Sequence, residues 1–331
     1  MRYLFRKRSS RIDPLTTGTW FGILSALAYT GANLALRQVA QPNDPDWAVW
    51  VSCMKAVPAA AVAWGLIAYR AGRGLPALPE RRTLLPLLAT GLFMQIGGNV
   101  MFQWSLGLGG LALTVPLLFA TLLVSSGILG RVFLDEPITR RTLAAIVTLV
   151  VSVIFLSSGT GAATRAIVAE SDWTSVAGAI LTASMAGLAY GVTGVVLRRY
   201  VQQTPSLSAS LVLISTSGVV SLGLISLYRL GPARMLATGS ADLQMMLVAG
   251  LLNAAAFFAL GAAYKYIGVL RVNLLNASQA ALAAACGVLW FGEPATGGLL
   301  VGTALTMLGL VMMDGRKRKD SAVGEEATGR E

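Results

Sequence analysis

The chain has 331 residues, of which 55% are hydrophobic and only 12% charged, with a formal net charge of +11. A soluble domain carries about a quarter of its residues as Asp, Glu, Lys and Arg, so this composition excludes an ordinary water-soluble globule and points to lipid as the solvent for most of the chain. The basic residues sit in short clusters beside apolar runs, not in a stripe with interleaved aromatics, which argues against nucleic acid and for the loop bias of a membrane protein.

Residues 1–17 form a basic N-terminus, "MRYLFRKRSSR" and onward. The apolar run behind it is too long for a signal-peptide core and more such runs follow, so it reads as an uncleaved first span. Apolar segments fall at Gly18–Leu36, Trp47–Tyr69, Leu84–Leu106, Leu108–Phe133, Thr142–Ser158, Trp173–Leu197, Ser208–Tyr228, Leu243–Tyr264, Val269–Phe291 and Leu299–Met313. They are about twice as long as barrel strands and do not alternate in polarity. The expected fold class is therefore an all-α membrane protein of ten transmembrane helices. Gln41–Asp46 and Arg70–Arg82 carry the Pro and Gly that break helices. Ser105–Gly110, "SLGLGG", is barely a turn, which predicts a tight hairpin between the third and fourth spans. Residues 314–331 are polar and are expected to form a disordered cytoplasmic tail.

Charge orients the spans. With a cytoplasmic N-terminus, Arg70, Arg73, Arg81, Arg82, Arg131, Arg140, Arg141, Arg198, Arg199, Lys265, Arg271 and the basic run after Gly315 all fall on the cytoplasmic side, and the other face keeps only Arg37, Arg165, Arg229 and Arg234. That asymmetry predicts both termini inside.

The phrase "LDEPIT" around Glu136 and Pro137 returns as "FGEPAT" around Glu293 and Pro294, and "AYTGANLALRQ" in the first span echoes "AYGVTGVVLRR" in the sixth. One duplication of a five-helix unit accounts for both echoes. Five is odd, so the copies lie upside down relative to one another, 18–160 against 173–313. The first Glu-Pro phrase is flanked by arginines and the second is not, as opposite sides of a membrane require. Inverted repeats are a mark of alternating-access carriers, whose solute site lies near the midplane between the halves.

With these residues in place, the chain resembles the drug/metabolite transporter superfamily of EamA type, over about Gly18 to Met313. The resemblance implies a monomeric or homodimeric carrier of the cell inner membrane that exports amino acids, metabolites or drug-like compounds. One position departs from the pattern: relatives carry a proline well before the Glu, where this chain has Thr121 and Leu123 or Ser278 and Ala280, and Pro116 lies further back.

Candidate cavity residues are polar groups inside the spans. Lys55 lies about a third of the way into the second span, with Pro58 within one turn. A Lys there either faces a cavity, where it attracts an anionic group, or snorkels to the interface. Tyr29 and Asn33 share a helix face, as do Gln95, Asn99 and Gln103, and as do Asn273, Asn276 and Gln279. Tyr190 is the counterpart of Tyr29. The alternative use of such amides is interhelical hydrogen bonding. Asn253 and Trp20 are weaker candidates. Trp47, Trp50, Trp104 and Trp173 read first as interface anchors. The glycine pairs at 18/22, 187/191 and 298/302 read as close helix packing. Glu136, Pro137, Glu293 and Pro294 read as structural or hinge residues, each phrase setting the corner before the last helix of its repeat.

No Asp or Glu lies within a span, and there is no histidine. Cys53 and Cys286 have no partner motif and read as small apolar side chains. No metal or cofactor is expected. The reading is a non-enzymatic secondary transporter for small-molecule substrates, amino-acid-like or otherwise neutral, zwitterionic or anionic, embedded in the lipid bilayer and binding no nucleic acid. The rivals are a multidrug exporter of the same superfamily, a membrane enzyme and a non-transporting membrane protein.

Overall fold

The computed structural model describes residues 13–41, 44–159, 173–291 and 297–314. The helices are α1 (Pro14–Gln38), α2 (Pro45–Gly72), α3 (Arg81–Phe93), a π-helical run at Met94–Val100, α4 (Met101–Leu134), α5 (Arg140–Gly159), α6 (Trp173–Val201), α7 (Leu207–Arg229), the short α8 (Pro232–Leu236), α9 (Ser240–Tyr266), α10 (Val269–Phe291) and α11 (Gly297–Asp314). There is no strand among the described residues. Every apolar run read from the sequence lies in helix. The sequence did not announce α8, which follows Gly231 at φ 79°, or the π-helical run. The N-terminal segment, the tail and the second Glu-Pro phrase, with Glu293 and Pro294, lie outside the described residues.

Six described segments are long and apolar enough to cross a membrane: Pro45–Gly72, Arg81–Leu108, Leu117–Leu134, Ala177–Val201, Leu207–Arg229 and Ser240–Tyr266. Their outward faces are apolar as well. Leu27, Leu85, Val124, Leu181, Leu224 and Leu251 all stand exposed, a surface that lipid solvates and water does not. The protein is a multi-pass membrane protein.

Local chemistry starts the helices as expected. Asp44 caps α2, accepting the Trp47 N–H at 2.9 Å, with Pro45 in the first turn. Ser206 caps α7 by accepting the Ala209 N–H at 3.2 Å. The predicted hairpin takes an unexpected form. Helical structure runs unbroken from Met101 to Leu134, yet the Ser105 and Thr114 hydroxyls are 2.8 Å apart. Nine residues of straight helix rise about 13.5 Å, so α4 must double back between them.

Helix contacts pair the two halves of the chain. α2 packs against α7, α5 against α11, α1 against α9 and α10, and α6 against α4 and the π-helical run. Pro58 of α2 sits on Gly250 of α9, where an added Cβ would lie 2.8 Å from the proline ring. At one rim, Arg229 pairs with Asp46 at 2.9 Å and Arg234 with Asp44 at 2.6 Å. Partial burial raises the Asp44 carboxyl, but the Trp47 N–H and Arg234 outweigh it and hold the group below its ordinary range. A depressed carboxyl stabilises the fold above its unfolded pKa and loses that contribution as pH falls through its folded value. Asp44→Asn is therefore expected to lower stability by less than about 1 kcal/mol near neutrality, a difference that vanishes on acidification. Thermal unfolding as a function of pH checks this.

Candidate functional site

The polar faces converge on one cavity. It has a volume of about 100 Å3 and is lined by Tyr29 and Asn33 of α1, Lys55 of α2, Asn99 of the π-helical run, Tyr190 of α6, Asn253 and Tyr264 of α9, and Asn273, Asn276 and Gln279 of α10. By that measure, one water needs about 10–15 Å3, so the space holds several waters or a small organic molecule. Phe102, Leu118, Phe119 and Leu122 form its apolar wall.

Lys55 does not snorkel. Its side chain is 3% exposed, and Nζ donates to Asn99 Oδ1 at 2.7 Å and lies 6.0 Å from the centre of the Phe102 ring. No ion pair of Lys55 occurs among the described residues. The Tyr190 hydroxyl donates to the same Asn99 oxygen at 2.8 Å. Asn99 is positioned from behind: its Nδ2 donates to Gln95 Oε1 at 2.5 Å, Gln95 Nε2 donates to the Ile214 carbonyl at 3.2 Å, and Ser52 donates to the Asn99 carbonyl at 3.1 Å. The π-helical run carries both Gln95 and Asn99. Such insertions change which way successive residues point.

The second pole is an amide cluster. Asn33 donates to Gln279 Oε1 at 3.2 Å, Gln279 donates to Asn276 Oδ1 at 2.9 Å, and Ser25 donates to that same oxygen at 3.1 Å. Tyr264 donates to Asn273 Oδ1 at 3.0 Å. The Asn273 Nδ2 group is buried and has no partner.

Of the ten cavity residues read from the sequence, Lys55, Tyr29, Asn33, Asn99, Tyr190, Asn273, Asn276 and Gln279 line this space together. Gln95 and Gln103 do not. Gln95 braces Asn99, and Gln103 turns to α1, donating to the Leu36 carbonyl at 3.4 Å. An unbroken α-helix would have kept the three on one face; the π-helical run upstream of Gln103 breaks that register. Trp20 is 66% exposed and points away from the interior. Trp47 is buried, donating to the Val39 carbonyl at 2.8 Å, so it is a packing residue rather than an interface anchor. Sequence reasoning missed Tyr264 and Thr193. A tyrosine at a helix end reads as an interface anchor, and only the fold turns Tyr264 inward.

Glu136 reaches a different helix from the one its phrase suggested. α5 begins at Arg140, and Thr139 serves its start by accepting the Thr142 N–H at 3.1 Å. Asp135 closes α4 in the left-handed region, φ 52°, and Glu136 then crosses to the other half. Its Oε1 accepts the Val269 N–H at 3.1 Å, at the first residue of α10, and lies 3.8 Å from Arg198 Nε. Arg198 also donates to the Tyr264 carbonyl. A carboxylate at a helix N-terminus meets unpaired N–H groups and the positive helix end. Glu136→Ala is therefore expected to cost about 1–3 kcal/mol, because it strands the Val269 N–H and Arg198. Glu136→Gln keeps an acceptor for Val269 and is expected to cost less than half as much. Thermal unfolding of both variants in detergent measures the difference.

The fold and the site define a membrane-embedded helical bundle with a polar cavity among its helices. Residues 177–313 match the model of the EamA-like transporter family, so over that stretch the resemblance to the drug/metabolite transporter superfamily is borne out. A crystal structure described only as that of a protein matches over 90% of this chain and 96% of its own, with a TM-score of 0.66 and 16% identity. The similarity shows a shared fold. No curated protein matches the chain.

Proposed function

We propose that the protein is a secondary transporter that moves small organic metabolites, amino-acid-like or other neutral, zwitterionic or anionic solutes, across the cytoplasmic membrane by alternating access, as efflux or exchange. The observation that carries this reading is the polar cavity around Lys55, which takes residues from α1, α2 and the π-helical run on one side and from α6, α9 and α10 on the other. A site shared between halves opens to either side when the halves rock.

The pairing of α2 with α7 and of α5 with α11 supports an inverted ten-helix arrangement, because each pair joins equivalent positions of the two repeats. The arginine-rich loops support cytoplasmic termini. On that orientation the Glu136 contact with α10 lies on the cytoplasmic side. A buried ammonium with no carboxylate in the described lining disfavours cationic drugs and leaves no carboxylate to relay a coupling proton.

The test is a thermal-stability screen of the purified protein against amino acids, nucleosides and organic acids, followed by flux of stabilising solutes in proteoliposomes. Saturable flux without accompanying proton movement is expected. Substrate-dependent proton flux would overturn the uncoupled mechanism, and solutes that bind without moving would overturn the carrier.

A further inference from the structure

Several polar groups of the cavity are already committed to one another. An amide oxygen accepts two hydrogen bonds. Asn99 Oδ1 already accepts from Lys55 and Tyr190, and Asn276 Oδ1 from Ser25 and Gln279. The oxygens of Asn273 and Gln279 each hold one donor, from Tyr264 and Asn33. Two donors beside them are open. Lys55 uses one of its three N–H groups in a hydrogen bond. Asn273, 3% exposed, has an Nδ2 group without any partner. Lys55 is also the only charged side chain among the described residues lining the space.

From this we infer that the solute is a small monocarboxylate with an apolar body and no ammonium group, its carboxylate on Lys55 and a neutral acceptor on Asn273. The inference rests on the carrier reading above. It narrows the substrate class by the single charge of the lining and by the open donors of Lys55 and Asn273. One buried cation is neutralised by one anion; a dianion would leave an excess negative charge in a poorly solvated space. The ammonium of an amino acid would need a counter-charge that the described lining does not supply, and it would enter a space that already holds the Lys55 charge. The body of the solute lies along Phe102, Leu118, Phe119 and Leu122, which offer apolar area and no further polar group.

Four compounds with the same branched body separate the terms: 4-methyl-2-oxopentanoate, leucine, leucinamide and 3-methylbutylamine. They are to be compared by thermal shift on the full-length protein in detergent and by uptake into proteoliposomes. The 2-oxo acid is expected to stabilise most and to be taken up saturably, with leucine at least tenfold weaker and the amide and amine without effect. Lys55→Met is expected to abolish the preference for the acid. Asn273→Asp, which turns a donor into an acceptor at nearly constant shape, is expected to weaken the acid at least tenfold. The wild-type ranking stands as a test even if a variant folds poorly. Preference for leucine or the amine, or equal response to all four, overturns the substrate class and leaves the carrier reading intact. Binding of the oxo acid with no flux overturns the carrier reading and leaves the site chemistry. No binding by any of the four overturns the inference.

Discussion

Lys55→Met is expected to weaken solute binding and transport by roughly ten- to a hundredfold while the protein stays folded. The loss follows from removing a hydrogen bond from a charged donor, worth about 1.5–3 kcal/mol. Stability moves the other way. A buried ammonium whose partners are one amide oxygen and a ring face is a burden on the fold, and an apolar side chain of similar length relieves it. Asn99 is not orphaned, because Tyr190 still donates to its Oδ1 and Gln95 still holds its Nδ2. The variant is thus expected to melt no lower than the parent and to transport poorly. Transport at the parental rate would show that the charge serves packing alone.

Gly187→Ala is expected to be among the most damaging single-methyl additions in the bundle. At Gly187 a Cβ would lie 1.9 Å from Thr121 Oγ1, 2.3 Å from the Leu118 carbonyl oxygen and 3.0 Å from the Leu122 amide nitrogen. Two of these atoms belong to the backbone of α4 and cannot rotate away, so α6 and α4 must separate. Overpacking of this kind costs about 1–3 kcal/mol, occasionally more, and helices in lipid rely on close backbone approach to associate. Thr121→Ala is expected not to rescue it, since the carbonyl clash remains. Gly191 provides the contrast. Its nearest obstacle is Ser125 Oγ at 2.1 Å, with the remaining contacts at 3.1 Å or beyond, so Ser125→Ala is expected to recover part of the Gly191→Ala loss. Melting temperatures and monodispersity of the four variants decide the matter. Equal rescue at both glycines would contradict the geometry.

The helices were legible because long apolar runs broken by Pro, Gly and charge have few alternatives in lipid. The site was legible in part for a related reason. Polar side chains inside such runs need partners, so Lys55, Asn99 and Asn276 marked themselves. What the one-dimensional pattern could not carry was the register and direction of individual turns. It placed Gln103 with Asn99 by counting an ideal helix, and the π-helical run redirected it toward Leu36. It offered Trp20 as a weaker cavity candidate and read Trp47 first as an interface anchor, and the packing turned Trp20 outward and buried Trp47.

Composition and periodicity by themselves determined a helical membrane protein and most of the side chains that share its polar interior, because solvation in lipid is set residue by residue. Only the tertiary structure decided that Gln95 braces rather than lines the cavity, that Tyr264 turns inward, and that Glu136 caps α10 across the two halves. Two of those contacts join different elements and depend on how the helices cross, and the Gln95 contact depends on the π-helical turn that carries both partners.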